Sequence, residues 1–352
     1  MRNKSNLVGV KEIAKRAKVS IGTVDRVINN RKGVSEETRK KIDGIIAELG
    51  YKPNKMASLL AKRHSVKLSV VIPQSSNETH YWSYPLAGIE QAISEVTQFG
   101  VTVSYFFYDL NSKAAFLKAT ESVLAADTNG VLIAPSFVEE SAVFVKKLTA
   151  LDIPFVFINS DLPKEESLSY IGPDLYQSGR LAAQLVSFMI DEEDDIFVIN
   201  LSTQLELDHH LFRKEQGFRK FFEENKLHNT ILSLNINHSD KTAIEKQIHK
   251  AIVSMPKARI LFVTNSRVHI VAKAISRIKP DILLIGYDFI EENIPHLENG
   301  TIRFIISQRP REQGYMGIMA LYKSLFNIEE VEPINYMPID IITKENYKSY
   351  KN

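Results

Sequence analysis

Two sets of residues in this chain have types and spacings that could do chemistry. Ile21, Gly22, Asp25 and Arg26 fall on one outward face of a short basic stretch. A guanidinium held there can donate two parallel hydrogen bonds to the edge of a guanine in a DNA major groove. The second set follows short apolar runs: the only Trp, Trp82, within residues 74–84, then Ser136-Phe137, Asn159-Ser160-Asp161, Asn200, Asn265-Ser266-Arg267, Asp288-Phe289 and Gln308. Asn, Asp, Gln and Arg at fixed positions hydrogen-bond the hydroxyls of a carbohydrate, and an indole can lie against the apolar face of the ring. Set against these, no phosphate-cradling glycine loop, nucleophile elbow or H-E-x-x-H motif occurs, so no catalytic residue is expected. His209-His210 is the nearest approach to a metal motif. Adjacent helical residues point apart, so neither a metal site nor a cofactor is expected.

The elements that must hold the first set are legible. Val10, Ile13, Ala14 and Ala17 make the apolar stripe of a first helix, and Lys18-Val19-Ser20 makes a turn whose Ser20 can cap the next helix. In that second helix Val24, Val27 and Ile28 face inward. A third helix starts after the capping Ser35, carries Ile42, Ile45, Ile46 and Leu49 at helical spacing, and stops at Gly50. Tyr51-Lys52-Pro53-Asn54 then breaks the chain before a short helical stretch over 55–62, which is too short to persist alone in water. Charge follows the same division. Residues 1–67 hold 17 Lys and Arg against 6 Asp and Glu, a net +11. The whole chain carries 44 against 42, which leaves 27 against 36, a net −9, for residues 68–352. Positive charge concentrated at one end favours a polyanion through counterion release.

The second set implies a different architecture. From Lys67 onward, strand candidates Leu68–Ile72, Val101–Tyr108, Val131–Ala134, Phe155–Ile158, Ile196–Asn200, Ile231–Leu234, Ile260–Val263, Ile282–Ile285 and Ile302–Ile306 alternate with helical patterns. Repeated βα over this length predicts parallel sheets flanked by helices, arranged as two lobes. Ligands in such sheets bind outside the carboxyl ends of the strands, where the polar set lies. The chain has no cysteine, which excludes disulfides and thiolate chemistry. With no signal-peptide pattern and no apolar run of membrane-spanning length, a cytoplasmic, nucleoid-associated protein without membrane contact is expected.

Lys11-Glu12-Ile13-Ala14, Val19-Ser20-Ile21-Gly22-Thr23-Val24-Asp25-Arg26-Val27-Ile28-Asn29, Val34-Ser35-Glu36-Glu37-Thr38-Arg39 and Leu49-Gly50-Tyr51-Lys52-Pro53-Asn54 resemble the signature of the lactose-repressor (LacI) family of bacterial transcription regulators. The resemblance implies a helix-turn-helix DNA-binding domain over 1–52 with a hinge helix and linker over 53–66. Residues 67–352 would then be a two-lobed, periplasmic-binding-protein-like effector and dimerisation domain. It assigns DNA contacts to Ser20, Ile21, Gly22, Thr23, Arg26 and Asn29, and in the hinge to Asn54, Ala57 and Leu60, with Leu60 as a minor-groove wedge. Asp25 stands where many members carry a small hydroxyl residue. Its carboxylate would accept from a cytosine, orient Arg26, or pair with a nearby Arg.

The expected effector site comprises Trp82, Ser136, Asn159, Asp161, Arg213, Asn265, Asp288 and Gln308, of which the resemblance places Asn159, Asn265, Asp288 and Gln308 at positions that line the family's sugar site; it also implies lobes joined by crossings near residues 171, 306 and roughly 330. In the family's cleft-arginine motif the Arg precedes a Gly by three residues. Here Arg213 precedes Gly217 by four, so the contact falls to Arg213, shifts to Lys214, or is absent. The expected protein is a homodimeric repressor released from a pseudo-palindromic double-stranded operator by a small carbohydrate. The alternative is the same architecture with a nucleobase, nucleoside or phosphorylated sugar as co-repressor; a two-lobed enzyme or sugar-binding protein ranks lower. Effector identity, operator sequence and dimer against tetramer are not written in these residues.

Overall fold

The computed structural model describes residues 10–28, 31–49, 65–76, 79–162, 164–202, 209–238, 240–276 and 281–351. The chain forms two compact units, Met1–Arg63 and His64–Asn352.

In the first unit α1 (Val10–Ala17), α2 (Ile21–Ile28) and α3 (Glu36–Glu48) pack their stripes together around Ile13, Ala14, Ala17, Val24, Val27 and Ile42, all buried. Lys18 ends α1 in the left-handed region, φ 55°, and lets the Val19 amide reach back to the Ala14 carbonyl at 3.1 Å. Ser35 caps α3, its Oγ accepting from the Thr38 amide at 3.3 Å.

The second unit runs β1 (Val66–Pro73), α4 (Ser83–Val96), β2 (Val101–Tyr108), α5 (Lys113–Ala125), β3 (Gly130–Ile133), α6 (Val138–Ala150), β4 (Phe155–Ile158), β5 (Ser169–Gly172), α7 (Leu175–Ser187), β6 (Asp195–Leu201), α8 (His209–Glu224) and β7 (Ile231–Ile236). It continues through α9 (Lys241–Ser254), β8 (Ala258–Val263), α10 (Val268–Ile275), β9 (Leu283–Tyr287), α11 (Ile294–Glu298), β10 (Ile302–Ser307), α12 (Pro310–Leu325), β11 (Ile334–Tyr336) and β12 (Asp340–Ile342). Two six-stranded sheets result, ordered β11-β5-β4-β3-β1-β2 and β12-β10-β9-β8-β6-β7. Every pairing is parallel except β12 against β10. The nine expected strands are present. β5, β11 and β12 are additional, three or four residues each, too short for a hydropathy period to show. No described helix is long and apolar enough to cross a membrane.

The chain passes between the lobes after β5, after β10 and between β11 and β12. The third crossing falls later than roughly 330, because the chain first adds β11 to the edge of the first sheet. Among the described residues, each lobe has a pair of helices whose glycines meet the partner helix's backbone. On Gly88 of α4 a Cβ would lie 1.8 Å from the Arg311 carbonyl oxygen, and on Gly314 of α12 it would lie 2.1 Å from that of Pro85. The second lobe repeats the device: a Cβ on Gly179 of α7 would meet the Lys214 oxygen at 1.8 Å, and one on Gly217 of α8 that of Tyr176 at 2.0 Å. Side chains at these positions would push the helices apart.

Candidate functional site

In the helical unit α2 presents Ile21, half-exposed, with Gly22 and Arg26 beside it on the exposed face. Ser20 accepts from the Thr23 amide at 3.1 Å and its Oγ lies 2.9 Å from the Thr23 hydroxyl, so the start of the helix is fixed by its own side chains. Asp25 takes the ion-pair alternative, 3.3 Å from Arg31 Nη1. A surface pair of this kind contributes little stability. Asn29, Asn54, Ala57 and Leu60 lie outside the described residues, as does most of the expected hinge.

In the second unit a cavity of about 80 Å³ lies between the lobes. The first lobe supplies Trp82, Ser136 and Asn159, and the second Lys214, Asn265, Arg267, Asp288 and Gln308. Asn159 and Asp288 occupy equivalent places, immediately after β4 and β9, and both have φ 70°. Asn and Asp are the residues that tolerate this conformation best after Gly. Two left-handed residues facing one cleft mark where backbone strain has been retained.

Buried Asp288 accepts from Gln308 Nε2 at 3.0 Å. Burial pushes its carboxyl up to about 6, against the pull of Lys214 and Gln308. Lys214, also buried, donates to the Thr264 carbonyl at 3.1 Å, and its ammonium sits 3.7 Å from the centre of the Tyr287 ring. Burial brings it down to about 8, although Asp288 favours its charge. His210 lines the cavity too, and burial, reinforced by Lys214, lowers it to about 3, so the imidazole is neutral at pH 7. Gln308 is 1 % exposed, and its Oε1 has no hydrogen-bond partner among the described residues. Such an orphaned buried acceptor costs stability unless a donor arrives.

Other expected contacts are committed elsewhere. Ser136 Oγ lies 2.6 Å from the Tyr108 hydroxyl. Asn265 donates to the Leu201 carbonyl at 2.6 Å and accepts from the Arg267 amide at 3.2 Å, which shapes the loop entering α10. Asn200 turns away from the cavity into a network with Glu215, Asn235 and Thr264. Asp161 and Arg213 are not among the residues lining the cavity. Arg213 instead lies over the Tyr176 ring at 5.6 Å. The reason is the helix register: Gly217 is pressed on the Tyr176 carbonyl, and the residue three positions earlier, Lys214, is the one turned inward. Trp82 lines the cavity edge-on to Tyr81, ring centres 5.2 Å apart, and the Tyr81 hydroxyl accepts from Asn159 Nδ2 at 2.6 Å.

Sequence reasoning missed two buried amides. Gln313 of α12 accepts from the Asn159 amide at 2.9 Å and donates to the Gln308 carbonyl at 2.7 Å, linking one candidate contact from each lobe. Asn293 donates to the carbonyls of Asp288 at 2.8 Å and Ser266 at 3.1 Å, and accepts from the His269 amide. No local signal marked either: Asn293 follows Glu291-Glu292 and Gln313 follows Arg311-Glu312. Across the mouth of the cleft Thr79 Oγ1 lies 3.0 Å from Ser266 Oγ, and the His80 amide and ring bond the Glu292 carboxylate.

Residues 9–54 match the family described as bacterial regulatory proteins, lacI family, and residues 69–327 match the periplasmic binding protein domain. Catabolite control protein A of Staphylococcus epidermidis is 27% identical over 178 residues, 50% of this chain and 51% of that protein. The HTH-type transcriptional regulator RegA of Clostridium saccharobutylicum is 26% identical over 151 residues, 43% of each. The chain thus spans about half the length of the curated relatives it matches. Among solved structures, one described as a LacI transcriptional regulator from Bacteroides fragilis superposes with a TM-score of 0.77 at 27% identity, over 82% of this chain and 100% of that one. GanP, a glucose-galactose binding protein from Geobacillus stearothermophilus, shares the fold at 20% identity, with a TM-score of 0.72 over 81% of this chain and 99% of its own. A three-helix reading head matched to one family and two glycine-locked lobes matched to the other assign this chain to the lactose-repressor (LacI) family of bacterial transcription regulators.

Proposed function

We propose that the protein is a homodimeric transcription regulator that binds a pseudo-palindromic operator through α2 and is released from it by a small carbohydrate held between its lobes. The observation that carries this reading is the orphaned Gln308 Oε1 in the inter-lobe cavity, in a chain that also bears a LacI-type reading head. An acceptor buried without a donor suits a hydroxyl-bearing ligand. Exposed Tyr105 and Phe107, stacked at 5.6 Å on the edge strand β2, support pairing with a second copy. Cytoplasmic location and nucleoid association follow from this reading.

Operator affinity measured by fluorescence anisotropy, with and without a carbohydrate panel, tests it. An inducing sugar lowers operator affinity, and linkage requires operator DNA to lower sugar affinity by the same factor. Asp288→Ala is expected to lose the sugar response while retaining operator binding. Equal sugar affinity with and without operator would overturn the regulatory reading.

A further inference from the structure

Two of the crossings between the lobes are tied to each other by side chains. One leaves β10 at Ser307, passes through Gln308 and Arg309, and starts α12 at Pro310. α12 packs on the first lobe, its Gly314 against the Pro85 carbonyl of α4. The other enters the second lobe at Asp340, the first residue of β12, which stands opposite Ser307 in the antiparallel pair with β10. Across this junction Arg309 Nε donates to Asp340 Oδ2 at 2.8 Å and Nη2 to Oδ1 at 3.2 Å, the two-pronged geometry in which a guanidinium holds a carboxylate most firmly. Each partner has a second tether. Glu312 of α12 accepts from Arg309 Nη1 at 3.3 Å. The Tyr350 hydroxyl lies 3.1 Å from Asp340 Oδ2 and 2.9 Å from Ser307 Oγ, with its ring edge-on to Phe289.

Arg309 keeps these bonds in an unfavourable backbone conformation. Its φ of 51° and ψ of 57° are left-handed, a region that crowds any residue with a Cβ. It also precedes a proline, which favours extended backbone. Ser112, Asp174 and Asp240 begin their helices from extended backbone. The left-handed turn at 309 therefore persists because the bonds to Asp340 and Glu312 hold it.

We infer that Arg309 and Asp340 form a strained clamp at the hinge, which sets the balance between closed and parted lobes. In the closed arrangement the ion pair is made and the strain is borne. When the lobes rotate apart, α12 moves with the first lobe and β12 with the second, so the pair breaks and residue 309 relaxes. The two terms oppose each other, which keeps their difference small enough for a ligand to shift. Arg309 directly follows Gln308, which lines the cavity, so the clamp also fixes the backbone that presents this side chain. Arg309 and Asp340 are thus positioning residues. The inference goes beyond the proposed function: it concerns the free protein and holds whatever the cleft binds.

The chain contains no cysteine, so a single introduced thiol reports opening. Ser160→Cys places one in the cavity lining, where Ser160 is 6 % exposed, and Val71→Cys places one in the fully buried core of the first lobe. The rate at which a thiol reagent labels each position is measured on the full chain without ligand, because that rate follows the population of the opened form. Asp340→Asn, which weakens the pair and keeps the strain, is expected to raise labelling at residue 160 about tenfold and to leave residue 71 unchanged. Arg309→Gly, which removes pair and strain together, is expected to raise it less. Tyr350→Phe takes away one tether, is expected to give a smaller rise, and replaces Asp340→Asn as the decisive variant if that protein does not fold. No rise at residue 160 in the decisive variant overturns the clamp. Labelling of Arg309→Gly as fast as that of Asp340→Asn, or faster, overturns the strain that opposes it. Equal acceleration at residues 160 and 71 shows general destabilisation in place of hinge opening, and overturns the inference as well.

Discussion

Gly179 touches the carbonyl of Lys214 so closely that a Cβ at residue 179 would lie 1.8 Å from the oxygen. The smallest residue on α7 thus fixes the height and rotation of α8, and with them the place of the buried ammonium in the cleft. Gly179→Ala should destabilise the second unit by ~1–3 kcal/mol through overpacking, and weaken effector binding beyond that by displacing Lys214. Denaturant unfolding and ligand calorimetry on the same variant separate the two effects. Unchanged stability would show that the helices separate without cost.

Gly44 is the contrasting case. It lies inside α3 with nothing within 4 Å of where a Cβ would sit. Gly44→Ala should stabilise the helical unit by ~0.5–1 kcal/mol, the difference in helix preference between the two residues. A higher melting temperature for that unit's transition checks it.

Arg26 is exposed on α2, as is Gly22 one helical turn earlier, and the proposed function gives it the role of reading base edges. Arg26→Ala should lower affinity for the specific operator by ~1–3 kcal/mol and leave nonspecific DNA binding much less affected. Titrations on operator and scrambled duplexes measure both. Equal losses on the two would assign Arg26 to phosphate contact alone.

The Asp288 carboxyl, faced by Lys214 and Gln308, is raised to about 6 by burial. A ligand hydroxyl donating to it binds the ionised form. Effector affinity should therefore be level above pH 6 and fall about tenfold for each pH unit below it. Stability of the free protein has the opposite dependence: a carboxyl raised on folding contributes most below its unfolded value, and that contribution is lost as pH rises toward 6. Calorimetry and thermal denaturation from pH 4.5 to 7.5 test both signs.

Gln313 joins the Asn159 amide to the Gln308 carbonyl. Gln313→Leu leaves both backbone groups without this partner, and should cost ~1–3 kcal/mol for each group left unsatisfied. The variant should also weaken the coupling between effector and operator more than it weakens either binding event alone. A full double titration of effector and DNA reads that coupling; an unchanged value would remove Gln313 from the pathway.

How much of this could be read from residues alone depended on what fixed each position. The amphipathic stripes of α1 to α3 and the buried parallel strands declare themselves by period. Asn159, Asp288 and Gln308 follow strands, so the topology alone directs them to the cleft. The choice between Arg213 and Lys214 was open in sequence because it turns on helix rotation, which is set by the contact between Gly217 and the Tyr176 carbonyl on another helix. Gln313 and Asn293 were missed for a related reason. Their importance lies in carbonyls and amides brought near them by tertiary folding, and no local pattern records such partners. β11, with two of its three residues exposed, carries too little burial to leave a periodic trace.

The bonds from Thr79 to Ser266 and from His80 to Glu292 join the two lobes across the mouth of the cavity. Parting the lobes breaks these bonds, so they raise the barrier to release of a molecule held between the lobes beyond its own contacts. Residence time then carries a contribution from the protein's opening rate that effectors of different affinity share. For a regulator this makes the duration of a signal partly a property of the fold, and leaves its threshold concentration to the chemistry of the ligand.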